Sequence, residues 1–272
     1  MTLVQALCFG IIQGLTEFIP VSSTAHLLMG QFMLGIPSTD SMFSFQVIIQ
    51  MGTVLALLVF FRHEFLNILS SAWEGLRAGR PFEGPGLLGW LVVLATLPAL
   101  VAGYLLKDLV QAMFGNPLAQ AGVRLLMSGA LLGTVELLGR HTRTLVSLSW
   151  RDALTVGAFQ VLAVFPGASR SGATIAGALS RGFDRPSAAR FALLMSAPIL
   201  VAAGLHEATD VIAAPGTTAQ VPALLTGFVA AAAVGWLAIR WLMGYLLRHS
   251  LFPFATYCAI LGSALLLYVR AN

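Results

Sequence analysis

The sequence has very little charge. Only 10% of its 272 residues are Asp, Glu, Lys or Arg, whereas 58% are hydrophobic and the mean hydropathy is +0.87. A soluble domain carries about 25% charged residues, so this chain lacks the polar surface that an ordinary cytosolic enzyme needs. High hydrophobicity also excludes an intrinsically disordered chain. The composition therefore indicates a protein that crosses a membrane several times.

Cysteine and clustered basic charge are also scarce. Cys8 and Cys258 lie far apart and form no CxxC or Cys/His motif, so a zinc site is not expected. The net charge is only +4 and the basic residues are scattered, so we expect no binding to nucleic acid. Gln13 and Glu17 interrupt the first apolar run and no basic segment precedes it, so we predict no signal peptide.

Long apolar segments predict six membrane spans. A spanning helix needs about 20 mostly apolar residues. The segments that fit are 44–62, 87–106, 118–138, 187–206, 222–242 and 252–270. A shorter stretch at 66–76 carries Trp73 and Glu74 and is followed by Arg77, a pattern typical of a helix that lies at the membrane surface.

Two further apolar segments are interrupted by proline. Residues 2–34 break at 19–23, and residues 151–181 break at 165–172, which leaves halves too short to cross a bilayer alone. Each segment could be one kinked span or a re-entrant hairpin. We favour hairpins, because Pro, Gly and Ser free backbone groups that must be satisfied in a protein-lined cavity.

The distribution of Lys and Arg predicts the orientation. With both interrupted segments treated as hairpins, Lys107 and Arg270 fall on one side of the membrane, and Arg124 and Arg170 fall inside it. The other side receives Arg62, Arg77, Arg80, Arg140, Arg143, Arg151, Arg181, Arg185, Arg190, Arg240 and Arg248. Because positive charge accumulates on the cytoplasmic side, we predict that these arginines face the cytoplasm and that both termini face outward.

The two interrupted segments are related by an internal repeat. Residues 6–18, ALCFGIIQGLTEF, align with residues 153–165, ALTVGAFQVLAVF, with Gly, Gln and Phe in register. A gap of one residue then aligns Pro20 with Pro166, and a Ser-rich turn follows each proline. A chance likeness between two apolar helices would not readily place these residues in register, so we interpret the pattern as a duplication.

The repeat predicts the fold. Each unit, about 1–140 and about 150–272, contains one hairpin and three spans, and an odd number of crossings inverts the second unit relative to the first. We therefore predict a single all-α polytopic membrane domain over 1–272, built as an inverted repeat. The two Ser-rich turns should enter from opposite leaflets and meet.

The first turn carries a carboxylate. Glu17 lies one helical turn after Gln13, so the two share a helix face. A carboxylate at this depth costs at least ~2.5 kcal/mol on insertion scales, and such residues are functional candidates. Glu17 could form a structural ion pair, with Arg170 as the partner, or it could act as a general base or Mg²⁺ ligand.

Both turns are expected to begin a helix whose N-terminus suits an anion, because free N–H groups and a partial positive charge point into the cavity. Arg170 adds a planar, bidentate contact for phosphate. His26 could orient a nucleophile or move a proton, and Gln50 could line the cavity or hydrogen-bond between helices. Hydroxyl groups that could cap the helices or bind a ligand belong to Ser22, Ser23, Thr24, Ser169, Ser171 and Thr174.

These motifs resemble those of the undecaprenyl-pyrophosphate phosphatase family, the bacitracin-resistance type. Residues 13–26, QGLTEFIPVSSTAH, are similar to its [E/Q]xxxE…PVSSTxH motif. Residues 166–174, PGASRSGAT, are similar to its PGxSRSG motif, and the Gln46…Gln50 pattern also looks like the family. The resemblance covers essentially the whole chain in length and motif order.

The resemblance implies an enzyme of the bacterial inner membrane that hydrolyses a polyprenyl pyrophosphate lipid to the monophosphate and phosphate. This reaction recycles the lipid carrier for cell-wall synthesis and confers bacitracin resistance. The resemblance also implies a divalent cation, Mg²⁺ by preference or Ca²⁺. By motif position Ser23 would be the nucleophile, Glu17 the base or metal ligand, and Arg170 the pyrophosphate clamp. His26 would assist, and Gln13 replaces a second carboxylate that some members carry.

A second class of function fits the fold as well. Inverted repeats with broken helices are typical of transporters, so a lipid flippase is the alternative. A transporter needs only the anion clamp, whereas the grouping of Glu17, Ser23 and His26 favours hydrolysis. Attack by Ser23 and direct attack by water fit the same residues. The apolar exterior suits lipid and a homodimer equally.

Overall fold

The computed structural model describes residues 1–113, 115–165, 168–213 and 217–272, which form α-helices joined by loops. Pro166 and Gly167, part of the second predicted break, lie outside them. In chain order the helices are α1 (Leu3–Thr16), α2 (Ser23–Met33), α3 (Asp40–Phe60), α4 (Arg62–Arg77), α5 (Gly86–Leu105), α6 (Lys107–Ala112), α7 (Pro117–Leu138), α8 (Trp150–Val161), α9 (Arg170–Ser180), α10 (Arg185–Ala213), α11 (Thr217–Leu246) and α12 (Phe252–Ala271).

Five of the described helices, α3, α5, α7, α11 and α12, are long and apolar enough to cross a membrane. The sixth predicted span, 187–206, lies within α10, which has 29 residues. In the most apolar stretch of the five helices only 22% to 44% of residues are buried inside the protein. More than half of the residues in each of these stretches are therefore exposed or half-buried, and side chains such as Val93, Leu225 and Leu267 are exposed. This exterior belongs to a polytopic membrane protein.

Both proline-interrupted segments form pairs of short helices. α1 and α2 have 14 and 11 residues, and α8 and α9 have 12 and 11. At 1.5 Å per residue the longest measures about 21 Å, which is less than the ~30 Å hydrocarbon core of a bilayer. The two helices of each pair pack against each other. The helix predicted around 66–76 is α4, which is amphipathic and has no buried residue.

The main hydrophobic core joins the two halves of the chain. It contains Phe18 and Leu57 from the first half and Phe191 and Ile239 from the second. The first helix of each pair packs on a spanning helix of the other half, α1 on α11 and α8 on α5. α1 and α11 lie so close together that the contact requires glycine, since a Cβ on Gly14 would lie 2.8 Å from a backbone nitrogen of α11. This packing fixes where α1 and α8 end.

Polar contacts fix the loop before α8. Asp152 accepts hydrogen bonds from Arg143 at 2.7 and 3.1 Å, from the Arg181 Nε at 2.7 Å and from the Ser149 hydroxyl at 2.7 Å. We call these four residues the loop cluster. They tie the α7–α8 connection to the end of α9.

Candidate active site

The turns that follow α1 and precede α9 meet at a cavity of about 200 Å³. The cavity has room for several molecules the size of water, which occupies about 30 Å³ in the liquid. Polar residues from both halves of the chain line it: Glu17, Ser22, Ser23, Thr24, Gln50, Arg124, Gln160, Ser169, Arg170 and Ser171. The structure thus brings the two turns together, although roughly 150 residues of sequence separate them.

Glu17 connects the two turns. It follows the last residue of α1 and is 5% exposed. Its Oε1 accepts a hydrogen bond from Arg170, and its Oε2 accepts hydrogen bonds from the Ser23 hydroxyl at 2.6 Å and from the Gln13 amide at 3.0 Å. We call these four residues the cavity cluster. The Ser23 bond has the length of a charge-assisted O–H···O⁻ bond, and a carboxylate so placed could accept the hydroxyl proton.

The turn that presents Ser23 is strained. Ser22 has φ 68° and ψ 93°, a region that non-glycine residues seldom adopt and that costs about 1–3 kcal/mol. Its hydroxyl caps α2 by accepting from the backbone N–H of Ala25 at 3.4 Å. The next residue, Ser23, is thereby held between Glu17 and the cavity.

His26 braces this turn and makes no hydrogen bond with Ser23 or Glu17 among the described residues. Its Nδ1 donates to the backbone carbonyl of Ser22 at 2.9 Å. Its Nε2 lies at hydrogen-bond distance, 2.7 Å, from the hydroxyl of Tyr257. The rings of His26 and Tyr257 are also stacked, with centroids 5.8 Å apart.

The second turn is built from hydroxyl groups. Ser169 caps α9 by accepting from the backbone N–H of Gly172 at 3.3 Å, and its hydroxyl oxygen lies 3.1 Å from that of Ser171. Its own backbone N–H donates to the hydroxyl of Ser128 on α7 at 2.9 Å. Thr174, for which a binding role is predicted, is outside the cavity lining, and its hydroxyl donates to the Arg170 carbonyl at 2.8 Å.

The two predicted glutamines differ in position. Gln50 lines the cavity, which favours the first of the two interpretations of that residue. Gln13 is 2% exposed and contacts Glu17 rather than the cavity. Its Nε2 also lies 3.5 Å from the hydroxyl of Thr53. Gln13 therefore holds the carboxylate in place.

Sequence reasoning assigned no role to three residues that lie here, Arg124, Gln160 and Ser128. For two of them the sequence contains a feature that indicates a functional role. Arg124 is a charge inside an apolar span, which marks a functional candidate, and Gln160 aligns with Gln13 in the repeat. Ser128 carried no signal, because its contact with Ser169 depends on how α7 packs.

The described residues contain no group of three or more His, Cys, Asp or Glu side chains that could hold a metal ion. Glu17 is the one carboxylate among the described lining residues, and both its oxygens accept hydrogen bonds. Mg²⁺ in such sites uses one or two carboxylates, water and substrate phosphate. The donor set fits a cation that arrives with a phosphate ligand.

Comparison with known proteins gives consistent matches. Residues 6–264 match the family described as Bacitracin resistance protein BacA. An undecaprenyl-diphosphatase of Anaeromyxobacter sp. (strain K) is 41% identical over 268 residues, which cover 97% of this chain and 91% of that relative. The undecaprenyl-diphosphatase of Rubrobacter xylanophilus is 40% identical over 271 residues, covering 98% and 99% of the two chains.

Proposed function

The chain belongs to the bacitracin resistance protein BacA family, and we propose that it is a membrane phosphatase that hydrolyses undecaprenyl diphosphate to the monophosphate and phosphate. One observation carries the proposal, namely that Glu17 accepts hydrogen bonds from both the Ser23 hydroxyl and Arg170 at one cavity. A base, a nucleophile and an anion-binding group are what phosphoryl transfer requires of a protein. A transporter would need the last of these alone.

Substrate binding would change the partners of Glu17. The described lining has two arginines and one carboxylate, so the cavity favours an anion. The N-termini of α2 and α9 add backbone N–H groups and partial positive charge. When a phosphate engages Arg170, the guanidinium is shared and its hold on Glu17 weakens. The carboxylate would then be free to accept the proton of Ser23.

The reaction would proceed in two steps. Glu17 takes the proton of Ser23 while the serine oxygen bonds to the terminal phosphorus, and the bond from that phosphorus to the bridging oxygen breaks. The bridging oxygen keeps the electron pair and leaves as polyprenyl monophosphate. Glu17 then gives its proton to solvent and takes one from a water molecule, whose oxygen bonds to the phosphorus. The bond from that phosphorus to the Ser23 oxygen breaks, the serine oxygen takes the proton back from Glu17, and phosphate leaves. Direct attack by water, with Ser23 as a binding group, would use the same residues.

A divalent cation completes the proposed site. Glu17 and the substrate phosphates would hold Mg²⁺, or Ca²⁺, with low protein ligation because the described cavity has a single carboxylate. Such a cation would neutralise the negative charge that develops on the phosphate. Gln13 and His26 act as positioning residues for Glu17 and for the Ser22 turn.

We place the protein in the bacterial inner membrane as an inverted repeat with two re-entrant hairpins, a cavity that opens outward and both termini outside. The reciprocal packing of α1 on α11 and α8 on α5 supports the repeat. The distribution of arginines supports the orientation. The division into units of about 1–140 and 150–272 belongs to the same proposal. The apolar exterior accommodates lipid or a second copy of the chain.

Phosphate release in detergent tests this function. Purified protein should release phosphate from undecaprenyl diphosphate in the presence of Mg²⁺, lose this activity in EDTA, and regain it when Mg²⁺ or Ca²⁺ is added back. Undecaprenyl monophosphate, which has no anhydride bond, serves as the control substrate and should release none. A folded protein that releases no phosphate but moves the lipid across a vesicle membrane would instead be a transporter.

A further inference from the structure

The cavity contains a second arginine that the reaction above does not use. Arg124 lies on α7 and lines the cavity. Its side chain forms no salt bridge and donates no hydrogen bond to any residue within 1–113, 115–165, 168–213 or 217–272, and its Nε is buried. A guanidinium has five N–H donors, and a charge without a partner inside a membrane is costly. Such a group is expected to have a ligand.

A buried amide from another helix lines the same cavity. Gln160 on α8 is 1% exposed, and neither its amide nitrogen nor its oxygen has a hydrogen-bond partner in the described part of the chain. Buried side-chain polar atoms nearly always have a partner. Its counterpart in the repeat, Gln13, uses its amide to hold Glu17. Gln160 aligns with Gln13 in the repeat, but among the described residues no carboxylate accepts a hydrogen bond from its amide.

Arg124 is tied to the second turn by two hydrogen bonds. The Ser128 hydroxyl donates to the backbone carbonyl of Arg124 at 2.7 Å and accepts from the backbone N–H of Ser169 at 2.9 Å. Arg124 therefore lies one helical turn from Ser128, which binds the residue that caps α9. The Nε of Arg170 is also buried without a partner among the described residues. Several hydrogen-bond donors thus surround one small cavity whose described lining has a single anionic group, Glu17.

We propose that Arg124 and Gln160 form a second phosphate subsite, which holds the phosphate that remains on the lipid. The inference rests on the proposed function. Arg170 is paired with Glu17 beside Ser23, so it addresses the phosphorus that the serine attacks. Arg124 and Gln160 are not bonded to that group and are available for the other phosphate of the diphosphate. This subsite would bind substrate and monophosphate product alike.

Substitution of Arg124 by Met tests the subsite. With undecaprenyl diphosphate, Arg124→Met should raise KM about ten- to a hundredfold, the effect of losing hydrogen bonds from a charged group, and should change kcat much less. The inhibition constant of undecaprenyl monophosphate should rise by a similar factor. Arg124→Lys should restore part of the affinity. Arg270→Met, which removes an exposed arginine at the end of α12, is the matched control and should behave as wild type.

The unfolding temperature of the Arg124 variant distinguishes a ligand-binding arginine from a structural one. Because Arg124→Met removes an unpaired charge from the membrane interior, the ligand-free variant should unfold at the same temperature as wild type or higher. A lower unfolding temperature together with unchanged KM and product inhibition would assign Arg124 a structural role and overturn the proposal.

Gln160 is tested by two variants of similar size. Gln160→Met loses the donor and should raise KM, and Gln160→Glu should raise it further because a carboxylate repels phosphate. If wild type, Gln160→Met and Gln160→Glu have equal KM values, Gln160 does not belong to the subsite.

Direct binding of undecaprenyl monophosphate, measured without turnover, separates the two proposals. If wild type binds it and Arg124→Met binds it more weakly, the subsite stands even where no phosphate is released. If phosphate is released and the variant binds the monophosphate as wild type does, the subsite fails and the phosphatase stands.

Discussion

Two clusters of carboxylate and arginine differ in how completely their hydrogen bonds are made. The side chains of Glu17 in the cavity cluster and Asp152 in the loop cluster are 4% and 0% exposed. Each of the three guanidinium nitrogens of Arg143 in the loop cluster donates at least one hydrogen bond. In the cavity cluster the Nε of Arg170 has no partner among the described residues. All guanidinium nitrogens of Arg143 in the loop cluster are therefore used by the protein, whereas the cavity cluster keeps a donor on Arg170 that a ligand can use.

This difference in hydrogen bonding indicates that the ion pairs of Asp152 stabilise the fold, whereas the ion pair of Glu17 can take part in a reaction. Asp152 is bonded to the side chains of Arg143, Arg181 and Ser149, which also connect three segments of backbone. Its loss should therefore affect folding. Glu17 is bonded to a hydroxyl that reaches the cavity, so its loss should affect turnover. Burial and charge alone would not distinguish the two carboxylates.

Ser23→Ala should have the largest effect. If Ser23 is the nucleophile, the variant should lose about 10³-fold or more in kcat, while its unfolding temperature stays near that of wild type because the residue caps no helix. Phosphate release from undecaprenyl diphosphate measures the first quantity, and thermal unfolding in detergent measures the second.

Ser180→Ala is the matched control for Ser23→Ala. Ser180 is an exposed serine on α9 whose hydroxyl donates to the Gly177 carbonyl within the helix, so its loss should leave kcat unchanged. Near-normal turnover of Ser23→Ala would exclude the serine as nucleophile and leave water as the attacking group. Acid quenching with labelled substrate would show the phosphoserine directly.

Arg170→Lys should have the next largest effect. A lysine keeps the charge and could still pair with Glu17, but an ammonium cannot make the bidentate contact with phosphate. We expect kcat/KM to fall about ten- to a hundredfold. Arg181→Lys in the loop cluster gives the contrast, since it should lower the unfolding temperature and leave kcat/KM unchanged. If Arg170→Lys has the same kcat/KM as wild type, Arg170 does not bind the diphosphate through a bidentate contact.

The sequence was sufficient to predict most of the helices and the meeting of the two turns. Apolar runs locate α3, α5, α7 and α12 within a few residues, because lipid imposes a length on them. An ion pair of Glu17 with Arg170 is one of the alternatives that the sequence leaves open, and the structure shows this contact. The sequence did not reveal that the Thr174 hydroxyl bonds to a backbone carbonyl of its own helix, as a threonine in a first helical turn can.

Side-chain direction was the part that the sequence did not reveal. His26 lies three residues after Ser23, and that spacing indicates an interaction between them. In the structure the ring contacts the Ser22 carbonyl and Tyr257, which is 231 residues away. Ser128 and Tyr257 became visible only when α7 and α12 were placed, because a contact between distant helices has no local pattern in sequence.

Asp152→Asn should have the smallest effect on catalysis and a clear effect on stability. Breaking a buried ion pair leaves charges without a partner and costs about 3–5 kcal/mol; because Arg143 and Arg181 are 32% and 41% exposed, we expect the lower end. Turnover per folded molecule should stay near wild type. Denaturation in detergent and an active-site count measure the two quantities. Loss of turnover with stability intact would mean that the loop cluster contributes to the reaction.

The acid dependence of unfolding isolates the same carboxylate. Burial acts to raise the pKa of Asp152, but hydrogen bonds from Arg143, Ser149 and Arg181 outweigh it and hold the pKa well below the ordinary value of 3.8. A carboxylate with a depressed pKa stabilises the fold fully above its ordinary value and loses that contribution as the pH falls further. Wild type should therefore lose stability more steeply than Asp152→Asn below about pH 4. Parallel curves for the two proteins would show that Asp152 titrates normally and that the loop cluster adds little to the fold.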